Sequence, residues 1–132
     1  GLGFEGRPQM AARFAGADGG QSLLFNGHID VVPSEPRDRW TSDPNQAEVR
    51  DGNLYGRGAC DMKGGVACMV YAAEVLQRLG IRLRGDLIVN TVTDEESSGA
   101  LDLDTGSNLQ RTLQRGVLVI QSIPHHSQNR VA

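Results

Sequence analysis

LLFNGHIDVVP, residues 23–33, decides the fold. Its flanks, LLF and VVP, are the aliphatic, aromatic and β-branched residues of a buried strand, yet its centre carries His28 and Asp30. Ionisable side chains at such depth are costly unless something compensates them. In a strand, residues i and i+2 share a face, so if the strand runs past Gly27, His28 and Asp30 project together. A neutral imidazole can then ligate a metal through one nitrogen while a carboxylate holds the other N–H. A core histidine satisfied by a nearby carboxylate has the same H-x-D pattern, and the motif alone leaves both readings open.

Outward from this stretch, Met10 to Phe14 forms another short apolar run, separated from Leu23 by the turn GADGG at residues 16–20. The pattern predicts two paired strands joined by a Gly/Asp turn. Pro33 to Asn53 is a polar connection holding three prolines and Trp40, and connections of this length are usually functional or mobile. A helix is predicted to start at Asp61 or Met62, because Val66, Met69, Val70, Ala73, Leu76 and Leu79 recur at three- and four-residue spacing and Gly80 supplies a stop. Gly85 to Thr93 is the next predicted strand, and it runs into Asp94-Glu95-Glu96. Strand, loop, helix and strand in that order predict a layered α/β domain with a mostly parallel sheet. Beyond Gly99 the signals thin to a short helix over 108–115 and a strand over 117–121.

Composition narrows the function classes. A hydrophobic fraction of 39%, a charged fraction of 22% and a net charge of −3 describe a soluble globular chain rather than a disordered or membrane one. Lys63 is the single lysine among 13 basic residues, and the arginines are scattered, so no basic stripe for nucleic acid forms. No apolar run approaches the ~18 residues that span a bilayer, which argues against a membrane partner. Cys60 and Cys68 form no C-x-x-C pair, and no secretory segment is evident, so the expected compartment is the reducing cytoplasm.

The chemistry concentrates at three places. The acids 94–96 end a strand, where open α/β sheets place their ligands. Two carboxylates ~4 Å apart repel by ~4 kcal/mol at an effective dielectric of about 20, so convergent acids need a cation or a shared proton; a solvated acidic turn with diverging side chains is the alternative. Asp61, at the head of the helix, is either an N-cap or a metal ligand, and its two oxygens leave room for both. Together, one histidine and several carboxylates at one sheet edge suit Zn²⁺ or a similar divalent ion. GRGACD, residues 56–61, begins like the dinucleotide fingerprint, but Asp61 replaces the third glycine and would repel a pyrophosphate. Its glycines read instead as a tight turn.

These segments, LLFNGHIDVVP, then WTSDP at 40–44, DGNLYGRGACDMKGG at 51–65 and the strand ending TDEESSG, resemble the aminoacylase, acetylornithine deacetylase, succinyl-diaminopimelate desuccinylase and glutamate carboxypeptidase family of metallopeptidases. The resemblance covers about Gly6 to Gly99. It implies an α/β domain with two zinc ions, for which Co²⁺ can substitute, hydrolysing an amide next to a carboxylate-bearing group in N-acyl amino acids or small peptides, with acetylornithine deacetylase-like substrates preferred. Carried over by position, His28 ligates one zinc, Asp61 bridges both and Glu96 ligates the other. Asp30 orients the His28 imidazole, and Glu95 is the general base that moves a proton from the activated water to the leaving nitrogen.

The departures from the family are equally informative. The next acidic ligand is expected on a strand that here reads VLVIQSIP, with Gln121 near its place, and a neutral amide is a poor zinc ligand. The family's last histidine ligand and its lid or dimerisation domain lie beyond this chain, and His125 and His126 read as tail residues. The expectation is therefore a fragment: residues 1–99 as a partial catalytic domain that opens on Gly1, and 100–132 as a divergent tail. Homodimers are possible in full-length relatives but the dimerisation domain is absent. A catalytically silent fragment that keeps a partial metal site is the competing reading.

Overall fold

The computed structural model describes residues 9–97 and the strand at 117–121. Among the described residues, six strands and one α-helix follow in order: β1 (Met10–Phe14), β2 (Ser22–His28), β3 (Glu48–Arg50), β4 (Asn53–Tyr55), α1 (Gly64–Arg78), β5 (Leu87–Val92) and β6 (Val117–Gln121), with a single 3-10 turn at Arg37–Arg39. The main sheet has the order β1-β5-β2-β6. β2 runs parallel to both β5 and β6, and β1 lies antiparallel on β5. The expected layered α/β fold with a mostly parallel sheet is thus present, with α1 as the crossover between β2 and β5. No helix among the described residues is long and apolar enough to cross a membrane.

β1 and β2 do not pair; β5 lies between them. β5 is buried at all six positions, so it needs a strand on each side, whereas β1 alternates like an edge strand. The GADGG segment therefore crosses the end of β5 rather than making a hairpin. It is pinned there by backbone contact: Gly16 and Gly20 lie so close to Arg84 and Gly85 that a Cβ on either would overlap that backbone. Asp86 closes the corner, accepting from the Gly16 N–H at 2.9 Å and from Arg13 Nε at 2.7 Å.

α1 packs on one face of the sheet. Ala73 meets buried Leu87 and Val89, with Leu23, Phe25, Met69 and Leu76 around them. Each such aliphatic or aromatic side chain contributes roughly 1.5–3 kcal/mol when fully buried. Gly27 allows the close approach, since a Cβ there would strike the methyl ends of Met62 and Met69. The helix starts at Gly64, later than expected, because Asp61 (φ −120°, ψ 98°) and Met62 (φ −131°, ψ 33°) are not helical. Val70 and Leu79, expected in the core stripe, are 48% and 66% exposed. Both sit about a quarter turn away from the Met69–Ala73–Leu76 line that faces the sheet.

The polar connection ends in structure the periodicity did not reveal. β3 and β4 form a hairpin in which Arg50 faces Asn53 across Asp51 and Gly52, both at positive φ (49° and 76°). Asp-Gly is the dipeptide that such a two-residue turn selects, and it was the available signal. Trp40 is held above the hairpin's base by a bond from Nε1 to the Ser34 carbonyl at 3.1 Å.

Candidate metal centre

β2 ends at His28, which stands opposite Val92 at the end of the parallel strand β5. The loops leaving the two strands therefore start side by side. His28 is buried, with 4% of its surface exposed. Its Nδ1 lies 3.0 Å from the Asp30 carbonyl oxygen and its Nε2 lies 3.0 Å from Asp61 Oδ1 and 3.9 Å from Glu95 Oε2. A carbonyl only accepts, so Nδ1 carries a proton, and Nε2 then presents either a second proton or a lone pair to the acids.

Asp30 holds the ring in a way the sequence did not disclose. Its carboxylate, expected to face the imidazole, does so with Oδ1 3.5 Å from Nδ1, but the closer contact, at 3.0 Å, is with the Asp30 backbone carbonyl. The strand stops at His28, so the loop backbone rather than strand alternation brings Asp30 to the ring. The carboxylate's Oδ2 accepts the Glu96 N–H at 3.0 Å, tying the β2 loop to the β5 loop.

Asp61 is not an N-cap. Lys63 occupies that position, and no side chain caps the helix. Asp61 sits in a wide turn closed by Lys63 N–H to the Gly58 carbonyl at 2.9 Å, with a cis peptide to Met62, and its carboxylate points at His28. Gly58 takes φ 76° there, in keeping with the tight-turn reading of GRGACD. One ligand atom from each of His28, Asp61 and Glu96 falls within 4.8 Å of the others. Donor atoms of a tetrahedral zinc ion with bonds near ~2.0 Å stand ~3.3 Å apart, so modest side-chain rotation closes this trio on one ion. One nitrogen and two carboxylates are also the donor types such an ion prefers. The residues present fit a divalent metal.

Of the other candidates, Glu95 points its carboxylate at the same imidazole, while Asp94, the first acid of the run, is buried at 2% exposure and has partners of its own. Gln121 lies opposite Asn26 on the far side of β2. His125, His126 and the helix expected over 108–115 lie outside the described residues. Lys63 escaped the sequence reading: its Nζ donates to the Ile29 carbonyl at 3.0 Å and links the Asp61 turn to the residue between His28 and Asp30. Spacing carries no signal for such a bond.

The electrostatics follow from this crowding. Burial lowers the His28 pKa, but the bond to Asp61, the Asp30 carbonyl and the charges of Glu95 and Asp30 outweigh it, so the value is raised above 6.5. Burial raises the Glu95 carboxyl; the His28 charge opposes this, and Glu96, Asp61 and Asp30 add to it, leaving it raised above 4.5. Groups whose folded pKa is raised stabilise the metal-free chain below their unfolded values and lose that contribution as pH rises through the folded ones. A metal ion needs the lone pair on Nε2, so it competes with the proton. The rise in thermal midpoint on adding Zn²⁺ is therefore expected to be larger above the His28 folded pKa than at pH below 6.5. A shift independent of pH in differential scanning fluorimetry would contradict the assignment of His28 as ligand.

The model for peptidase family M20/M25/M40 matches residues 24–124, running past Gly99 where the recognisable motifs stop. The chain is 38% identical over 103 residues to N-formyl-4-amino-5-aminomethyl-2-methylpyrimidine deformylase of Bacillus subtilis, covering 76% of this chain and 24% of that protein. It is 46% identical over 95 residues to succinyl-diaminopimelate desuccinylase of Methylibium petroleiphilum, covering 72% and 24%. The crystal structure of human carnosine dipeptidase 1 superposes with a TM-score of 0.74 at 29% identity, over 87% of this chain and 25% of that one. The chain thus spans about a quarter of the length of the curated relatives it matches. With the motifs in order along β2, the Asp61 turn and β5, and the match extending over most of its length, the chain belongs to peptidase family M20/M25/M40.

Proposed function

We propose that the chain is part of the catalytic domain of a metal-dependent amide hydrolase acting on N-acyl amino acids or small peptides, an acetylornithine deacetylase-like substrate among them. The observation that carries this reading is the convergence of His28, Asp61 and Glu96 within 4.8 Å, with Glu95 beside them. His28, Asp61 and Glu96 would hold the metal, zinc being the ion their donor set suits. A divalent ion there supplies Lewis acidity, making a water acidic and polarising the amide carbonyl.

The chain's own groups do the rest. Asp30 fixes the His28 ring through its carbonyl and fixes the Glu96 backbone through its carboxylate. Glu95 stays unligated, accepts the proton of the attacking water and delivers it to the leaving nitrogen. Its raised pKa moves it toward the range in which a carboxylate both takes and returns a proton near neutrality. A second reading, a silent module that holds one ion, draws on the ligand count: among the described residues only three groups converge, enough for one ion but few for two.

Turnover separates the two. With Zn²⁺ or Co²⁺ added, the hydrolase reading expects cleavage of N-acetylornithine or an N-succinyl amino acid, and Glu95→Gln is expected to lower it by roughly 10²–10⁴-fold. Metal binding with no cleavage of any acyl amino acid would leave the silent module standing.

A further inference from the structure

A cleft of about 490 Å³ opens between the Trp40 loop and the β3–β4 hairpin. Trp40 and Tyr55 form aromatic walls, Leu54 adds apolar surface, and Arg39, Arg50 and Arg57 line the same space. The charges there are unevenly compensated. Arg50 pairs with Glu48 (Nε to Oε1, 3.1 Å) and lies over the Tyr55 ring at 4.3 Å. The lining carboxylate, Glu35, faces Arg37 at 3.5 Å. Arg39 and Arg57 have no acidic partner among the described residues. Arg57 stacks on Trp40 at 4.8 Å and donates from Nη2 to the Pro33 carbonyl at 3.2 Å, while its buried Nε has no hydrogen-bond partner.

A partly buried guanidinium without a counter-charge is unfavourable, and an anion in the cleft removes that cost. The fork of an arginine fits a planar carboxylate on two parallel bonds. Aromatic and aliphatic walls favour a ligand with a methylene stem over a bare inorganic ion. We propose that this cleft is a binding site for the carboxylate of a small aliphatic acid, with Arg39 and Arg57 as its cationic groups. The site uses none of the groups that hold the metal, so it stands or falls apart from the hydrolase reading.

Trp40 is the single tryptophan of the chain, so its fluorescence reports this cleft alone. The test is a titration of the full chain with glutarate in the presence of chelator, which keeps the metal centre out of the measurement. A saturable change is expected with glutarate and none with glutaramide, its uncharged counterpart, or with chloride at equal ionic strength. Arg39→Gln removes an exposed side chain with no partner to lose, and is expected to weaken glutarate about tenfold while leaving the circular dichroism spectrum unchanged. No saturable change, an equal response to glutaramide, unaltered affinity in the folded Arg39 variant, or tighter binding of inorganic phosphate than of glutarate would each overturn the assignment.

Discussion

Replacing His28 by alanine is expected to weaken Zn²⁺ binding by at least about a hundredfold, while Glu95→Gln leaves it within a few-fold. Even outer groups that only orient a ligand change metal affinity by 10–100-fold, and His28 is the nitrogen donor of the trio itself. Its removal leaves Asp61 and Glu96, two carboxylates whose mutual repulsion then resists closing on an ion. Glu95 stands 3.9 Å from Nε2 and is assigned no bond to the metal, so its loss touches proton transfer rather than binding. Competition with a chromophoric chelator measures both affinities. Loss of metal in the Glu95 variant and retention in the His28 variant would exchange the assignments.

The second large effect lies far from the metal. Gly85→Ala is expected to destabilise the chain by about 3 kcal/mol or more, because a Cβ there would overlap the Gln21 carbonyl and neither backbone can escape by changing rotamer. Domains are stable by only about 5–15 kcal/mol, so this single methyl removes a large share. Gly52→Ala is the reference: nothing lies within 4 Å of its Cβ, and only its φ of 76° resists a side chain, at about 1 kcal/mol. Urea titration should show a much lower midpoint for the first variant and a small shift for the second. Equal midpoints would mean that the crossing of GADGG over β5 is looser than described.

That His28, Asp61 and Glu96 lie together was legible because it depends on topology more than on detail. Parallel strands joined by a helix must end at the same sheet edge, so a histidine closing β2 and acids following β5 meet whatever the loops do. What stayed hidden depends on single backbone conformations. Strand alternation predicted that the Asp30 side chain faces His28, and Oδ1 does lie 3.5 Å from Nδ1, but the strand ends at His28, two residues short of Asp30, so the closer contact of the Asp30 carbonyl with the ring had no signal in the pattern. Helix periodicity reached back to Asp61, yet the wide turn before Gly64 leaves the Asp61 carboxylate free to meet Nε2. The pairing of β1 with β5 instead of β2 is a non-local choice, made by the burial of β5, that a turn signal between neighbours in sequence cannot report. The hairpin at Asp51-Gly52, by contrast, had its signal in the dipeptide itself.

Calorimetric titration of the chelator-stripped chain with Zn²⁺, repeated in buffers of different ionisation enthalpy, tests the account at its centre. Saturable binding with release of protons, abolished by His28→Ala in a chain that keeps its circular dichroism spectrum, is the expected result. A folded chain that takes up no Zn²⁺, or binds it equally well without His28, would contradict it.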